Sequence, residues 1–173
     1  MNALLRPLLR LWPFVALIAS AGMLAIAHAF ETFGHLPPCT LCLRQREVYW
    51  VALSVAAAGS VLSLTPLRGR LFSVLCVILG VIFLYGAGIA VWHAGAEWGF
   101  WDGPKTCASG GGALAVNAED VMRAMNGGRL EEPHCDKAAW VFLGLSMAGW
   151  NALISFGLAF LSAWAARRGT RAL

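Results

Sequence analysis

The chain has 173 residues, of which 59% are hydrophobic and only 13% charged, where an ordinary soluble domain carries roughly a quarter charged. That balance excludes a soluble globular fold. The net charge of +4 does not indicate nucleic-acid binding, because the charges are sorted along the chain: Arg6, Arg10, Arg68, Arg70, Arg167, Arg168 and Arg171 have no acidic neighbours, whereas all nine acidic residues fall in 31–47 and 93–137.

A hydrocarbon core about 30 Å thick takes roughly 20 apolar residues per helix. Four stretches meet that requirement. The first, about 11–30, follows Arg6 and Arg10 and ends in Ala27-His28-Ala29, which imitates a signal peptide with its cleavage site. Its apolar run exceeds the roughly 7–15 residues of a signal h-region, so a retained span is expected. The second span, about 43–64, is free of charge from Val48 to Leu64, and Pro66 and Gly69 mark a short turn after it. The third covers about 71–92 and the fourth about 138–165. The basic clusters put both termini in the cytoplasm and the segments 31–42 and 93–137 on the opposite side. The expected fold is an all-α membrane protein, a four-transmembrane-helix bundle forming a single domain over residues 1–173.

Within the spans, Ala56, Ser60, Gly86, Gly88, Gly144 and Ala148 suit close helix approach, and Asn151 and Ser155 suit interhelical hydrogen bonds. Trp50, Trp92, Trp98, Trp101, Trp140 and Trp164 fall near span ends, where indole rings anchor at the headgroup level. In the long outer segment Gly103-Pro104 and Gly110-Gly111-Gly112 break regular structure. A short amphipathic helix is expected after them, capped by Asn117, ended by Asn126-Gly127, and carrying Ala118, Val121, Met122 and Met125 on one face.

Four cysteines, Cys39, Cys42, Cys107 and Cys135, lie in the two outward segments, while Cys76 stands alone inside the third span. Disulfides persist outside the cytoplasm, so the four suggest two bridges, and Cys76 reads as a small packing residue. Paired in sequence order, the bridges close rings of about four and about 29 residues and contribute roughly 2 and 3.6 kcal/mol through loop closure. The short bridge is poorly explained as a staple. A C-x-x-C pair is instead the usual arrangement for dithiol exchange, because one thiolate attacks and its neighbour resolves the mixed disulfide. A zinc site built from all four cysteines fits badly, since 27 residues separate Cys107 from Cys135 and they form no second short knuckle.

The surroundings of the pair strengthen the redox reading. Pro37 and Pro38 precede it, which places Cys42 near a helix N-terminus with Arg46 one turn on. The positive helix end and the Arg46 cation are both expected to favour a Cys42 thiolate. His93 ends the third span at the same level and can hydrogen-bond a carbonyl oxygen. His28, His35 and His134 read as polar caps.

On Pro38-Cys39-Thr40-Leu41-Cys42 followed by Gln45-Arg46, on His93, and on Cys107 and Cys135 bracketing the long loop, the whole chain resembles the DsbB family. Cys76 falls outside that pattern. The resemblance implies a quinone-dependent thiol oxidase of the bacterial inner membrane, with two periplasmic loops that each carry a redox disulfide. It implies that Cys107–Cys135 takes electrons from a soluble DsbA-like dithiol protein, Cys107 being the sulfur attacked. Cys135 and Cys39 would then exchange between loops. Cys42 would meet ubiquinone or menaquinone through a thiolate charge-transfer complex or adduct, with Arg46 and His93 holding the quinone oxygen. No metal is expected. Two rivals keep the architecture. One is a quinone-linked reductase resembling vitamin K epoxide reductases, in which the C-x-x-C usually lies later in the chain. The other is a non-enzymatic tetraspan scaffold, which predicts tolerance to Cys42→Ser.

Overall fold

The computed structural model describes residues 11–65, 68–103, 122, 135 and 137–169. They form four long helices, α1 (Trp12–Thr32), α2 (Thr40–Ser63), α3 (Arg68–Glu97) and α4 (Met147–Gly169), with a hairpin of β1 (Val141–Phe142) and β2 (Leu145–Ser146) before α4. Three stretches, Trp12–Thr32, Leu71–Glu97 and Met147–Arg167, are long and apolar enough to cross a membrane. Helix α2 accompanies them, but its first turns hold Arg44, Arg46 and Glu47, so its apolar part is shorter. The expected amphipathic helix around 117–126, Cys107, and the terminal arginines Arg6, Arg10, Arg168 and Arg171 lie outside what is described of backbone or side chain.

The helix ends follow from local chemistry. Pro13 occupies the first turn of α1, where its missing N–H is no loss. Pro37 and Pro38 keep the chain extended into α2, and Cys39 caps that helix: its backbone is extended (φ −75°, ψ 169°) and its sulfur accepts the Cys42 amide at 3.2 Å. Helix α3 has 30 residues and is therefore about 45 Å long, well beyond a hydrocarbon core of about 30 Å. The outer segment was expected to begin at residue 93, but α3 continues through Glu97. That extra turn keeps His93 and Glu97 on one rigid element.

The fourth long helix begins at Met147, within the apolar stretch that was expected to start at about 138. Residues 141–146 form the hairpin, with Val141 opposite Ser146 and Phe142 opposite Leu145. Its two turn residues both have positive φ, Leu143 at 52° and Gly144 at 78°, the requirement of a type I′ turn. A continuous apolar run cannot by itself distinguish strand from helix, which is why the sequence concealed this turn. Gly144 thus serves the hairpin rather than a helix contact. The Trp150 indole donates to the Phe142 carbonyl at 3.0 Å, tying the hairpin to α4.

Helix α1 packs on α2, α2 on α3 and α3 on α4, whereas α1 and α4 scarcely touch. A buried hydrogen bond joins them at the end remote from Cys39, where the Trp12 indole donates to Ser162 Oγ at 2.9 Å. The core contains Trp12, Ala52, Ala56, Leu79 and Phe83, with Cys76 fully buried among them, as its reading as a packing residue requires. A Cβ on Gly86 would lie 2.9 Å from Val48 Cγ1, so this glycine sets the α2–α3 approach; one on Gly88 would meet nothing. Trp92, Trp98 and Trp101 are exposed at or just beyond the C-terminal end of α3, as expected of anchoring indoles, whereas Trp50, also exposed, stands midway along α2 rather than at its end.

Candidate functional site

Opposite the Trp12–Ser162 link, the helices part around a cavity of about 860 Å³. This is within the usual range for small-molecule sites. Leu24 and Ala27 of α1 and Ile154 of α4 contribute apolar wall, and Arg46, His93 and Glu97 supply polar groups. Ile26 and Ile154 are exposed on the outer faces of α1 and α4 and also line the cavity, so the crevice opens sideways between these two helices.

Cys39 and Cys42 sit on the cavity wall, just ahead of the apolar part of α2. Their sulfurs are 2.7 Å apart. An S–S bond is about 2.05 Å long, so bond closure needs an approach of well under about 1 Å. Both are free thiols. The hydrogen bond between them divides their acidity: accepting it holds Cys42 below the ordinary thiol value, against its burial. Cys39, whose proton is shared with Cys42 and which is itself buried, is pushed up. The helix entry therefore divides the pair, making Cys42 the more acidic thiol and Cys39 the less acidic one. Arg46 also favours the Cys42 thiolate, but it is the smallest of the contributions. The direction is the one expected, and the contribution is small because the guanidinium is turned toward α1, donating to the Ala27 carbonyl at 3.0 Å and to Glu31 at 2.5 Å.

His93 reaches the pair as expected from its position at the end of the third span. It is buried, and its Nε2 lies 3.6 Å from Cys39 Sγ. Its other nitrogen is held by a chain of side chains. Tyr49 donates to Asn151 Oδ1 at 2.6 Å, Asn151 Nδ2 donates to Gln45 Oε1 at 2.5 Å, and Gln45 Nε2 lies 3.0 Å from His93 Nδ1. Each amide has its acceptor oxygen occupied, so Gln45 presents a donor, and Nδ1 must accept. Neutral His93 then carries its proton on Nε2, facing the thiols. Asn151 and Ser155 do make interhelical hydrogen bonds, the latter to Tyr49 at 2.9 Å.

Cys135 is buried with Cys39 and Leu41 in one small cluster, and its sulfur lies 3.7 Å from Thr40 Oγ1. It is disulfide-bonded. The structure thus assembles Cys39, Cys42, Arg46, His93 and Cys135, while Cys107 lies outside the described residues. Ligand atoms of Cys39, Cys42 and His93 fall within 4.8 Å of one another. The 2.7 Å sulfur separation is nevertheless far tighter than the roughly 3.8 Å between two thiolates on a tetrahedral zinc ion. Sequence reasoning gave no role to Gln45 or Tyr49 and overlooked Glu97; the available signal for Glu97 was a carboxylate one helical turn beyond His93.

Fold and site together define a helical membrane protein with a dithiol at the mouth of an apolar crevice. Residues 9–165 match the family described as disulfide bond formation protein DsbB, and the chain belongs to that family. It is 32% identical over 156 residues to disulfide bond formation protein B of Dechloromonas aromatica, covering 86% of this chain and 87% of that one. It is 31% identical to the Methylococcus capsulatus protein of that name, covering 86% and 90%, and 30% identical to the one from Xanthomonas campestris, covering 90% of each. No solved structure matches significantly.

Proposed function

We propose that the protein is a membrane thiol:quinone oxidoreductase that reoxidises a periplasmic DsbA-like dithiol protein and so sustains disulfide formation. The observation that carries this reading is the position of the Cys39–Cys42 dithiol, which faces the lipid-open crevice on one side and Cys135 on the other. The reading places the protein in a bacterial inner membrane as a single domain of four spans, with residues 31–42 and 93–137 in the periplasm. Basic residues at the opposite end of the helices support that sidedness.

Cys107–Cys135 receives electrons from the soluble partner, whose thiolate attacks Cys107. Cys135 then exchanges with Cys39, a step supported by the burial of both sulfurs in one cluster. Cys42, held as thiolate by its hydrogen bond from Cys39, faces the crevice. The crevice fits a quinone of the ubiquinone or menaquinone class in size, apolar wall and lateral opening, and its polar end offers the Nε2–H of His93 and the Arg46 cation to an acceptor oxygen. A bound quinone supplies a sink for two electrons and two protons. The chain's own task is to close Cys39–Cys42 beside it and to exclude water from the exchange.

The test is anaerobic. Purified protein mixed with a reduced DsbA-like protein and ubiquinone or menaquinone is expected to yield quinol, and Cys42→Ser to abolish that yield while leaving the helical circular dichroism spectrum unchanged. Absence of turnover in the wild-type protein, or equal turnover in Cys42→Ser, overturns the reading.

A further inference from the structure

The last turn of α3 carries a carboxyl group that the steps above do not use. The Glu97 side chain is 5% exposed, and its Oε2 has no hydrogen-bond partner among the described residues. An unsatisfied buried polar atom costs roughly 1–3 kcal/mol, more when charged. Ionisable groups buried in membrane helices are costly in the same way and mark proton or ion pathways. The Ser146 hydroxyl hydrogen-bonds the carboxyl and itself accepts the Gly149 amide at 3.1 Å. A second polar neighbour among the described residues is His93, whose Nε2 stands 3.7 Å from Glu97 Oε1 and 3.6 Å from Cys39 Sγ. One nitrogen therefore lies between the thiol and the carboxyl. The titratable and charged groups sharing the cavity with Glu97 are Cys39, Cys42, Arg46 and Tyr49 on α2, His93 on α3, and Lys137 ahead of β1.

We propose that Glu97 is the proton acceptor of the Cys39–Cys42 dithiol, taking the Cys39 proton through His93 as the sulfur–sulfur bond closes. The proposal rests on the reading above only for its oxidant, a quinone-class acceptor of two electrons. In the reduced pair Cys42 is a thiolate, its proton already released to water, and Cys39 holds its proton. On closure the Cys39 S–H bond breaks, the S–S bond forms, and two electrons leave for the acceptor. The Nε2 proton of His93 passes to the Glu97 carboxylate, and the vacated lone pair takes the Cys39 proton, so the imidazole ends as it began. Gln45 at Nδ1 confines this exchange to Nε2. Glu97 then holds one of the two protons the acceptor requires, inside the cavity where it is needed, and the second comes from water. The charge balance is complete.

The same proton can be followed without a quinone. Reduced protein carrying Cys107→Ser and Cys135→Ser, so that only this pair reports, is mixed with an aromatic disulfide whose thiolate product absorbs visible light. Attack by Cys42 releases one aromatic thiolate, and closure by Cys39, which must lose its proton, releases the second. Glu97→Gln removes a negative charge that disfavours the Cys42 thiolate, so the first phase is expected to be no slower than in wild type, whereas the second should slow about a hundredfold, the scale of a lost general base. The slowed phase should recover only as rising pH ionises Cys39 directly, and Glu97→Asp should restore part of the rate. A first phase no slower than in wild type also reports an intact fold; if Glu97→Gln does not fold, the Glu97→Asp rate decides alone. Equal second phases in wild type and variant, or equal slowing of both phases, overturn the proposal. Because no quinone is present, that result bears on Glu97 and not on the overall activity. Failure of quinol formation with a normal two-phase release would sink the activity instead.

Discussion

The Gln45 side-chain amide nitrogen lies 3.0 Å from His93 Nδ1, and this contact decides which imidazole nitrogen faces the thiols. Its direction is inherited from Asn151 and Tyr49, so a tautomer at one helix end is set by residues on two other elements. Gln45→Leu removes the donor and leaves buried Asn151 without its acceptor. It is expected to destabilise the protein by about 1–3 kcal/mol, the cost of an unsatisfied buried group. It should also let His93 adopt both tautomers, visible in nitrogen-15 imidazole spectra. A single unchanged tautomer in Gln45→Leu would show that the relay does not control His93.

Arg46 joins α2 to the last turns of α1 through the Ala27 carbonyl and Glu31. Charge-assisted hydrogen bonds contribute roughly 1.5–3 kcal/mol each, so Arg46→Gln is expected to raise the half-saturating quinone concentration about tenfold to a hundredfold. Arg46→Lys should not restore it, because a single ammonium replaces a planar fork. Steady-state kinetics at varied quinone concentration check this, and identical curves for Arg46→Gln and wild type contradict it.

The two thiols of the C-x-x-C pair should titrate in opposite senses. Cys42 is held down by the hydrogen bond it accepts from Cys39, so its thiolate persists as pH falls below the ordinary thiol value of about 8.5. Cys39 is pushed up by that same bond and by burial, so it stays protonated at pH values where Cys42 is fully ionised. Alkylation of reduced protein across pH, read by mass spectrometry, should give a low midpoint for Cys42 and slow labelling of Cys39 throughout. Coincident midpoints would remove the proposed division of labour.

Two glycines two residues apart on α3 offer a packing test. Gly86→Ala puts a methyl 2.9 Å from Val48 Cγ1, and a β-branched side chain in a helix has little rotamer freedom with which to yield. Overpacking of this kind costs about 1–3 kcal/mol. Gly88→Ala meets nothing within 4 Å and should be neutral or slightly stabilising. Thermal unfolding in detergent distinguishes the two, and equal melting temperatures would place the α2–α3 contact elsewhere.

Much of this protein was determined locally. Apolar run length calls for helices of membrane-crossing length, because a lipid core leaves the backbone no other partner than itself. Pro37 and Pro38 ahead of a C-x-x-C give a helix entry with a dithiol, since proline fixes the approach and the free amides of the first turn follow. The hairpin at 141–146 was not legible, because an apolar run has no period to read and Gly144 serves a turn as readily as a helix contact. Nor were the partners of His93 legible. Hydrogen bonds among Tyr49, Asn151, Gln45 and His93 span up to 106 residues and exist only once three helices have packed. Glu97 shows the same division: its charge is written in the chain, but its burial beside a histidine and a thiol is a property of how α3 and β2 meet. Periodicity and proline act through neighbouring bonds, whereas burial and proton position depend on groups far apart in sequence, and only the packed bundle supplies those.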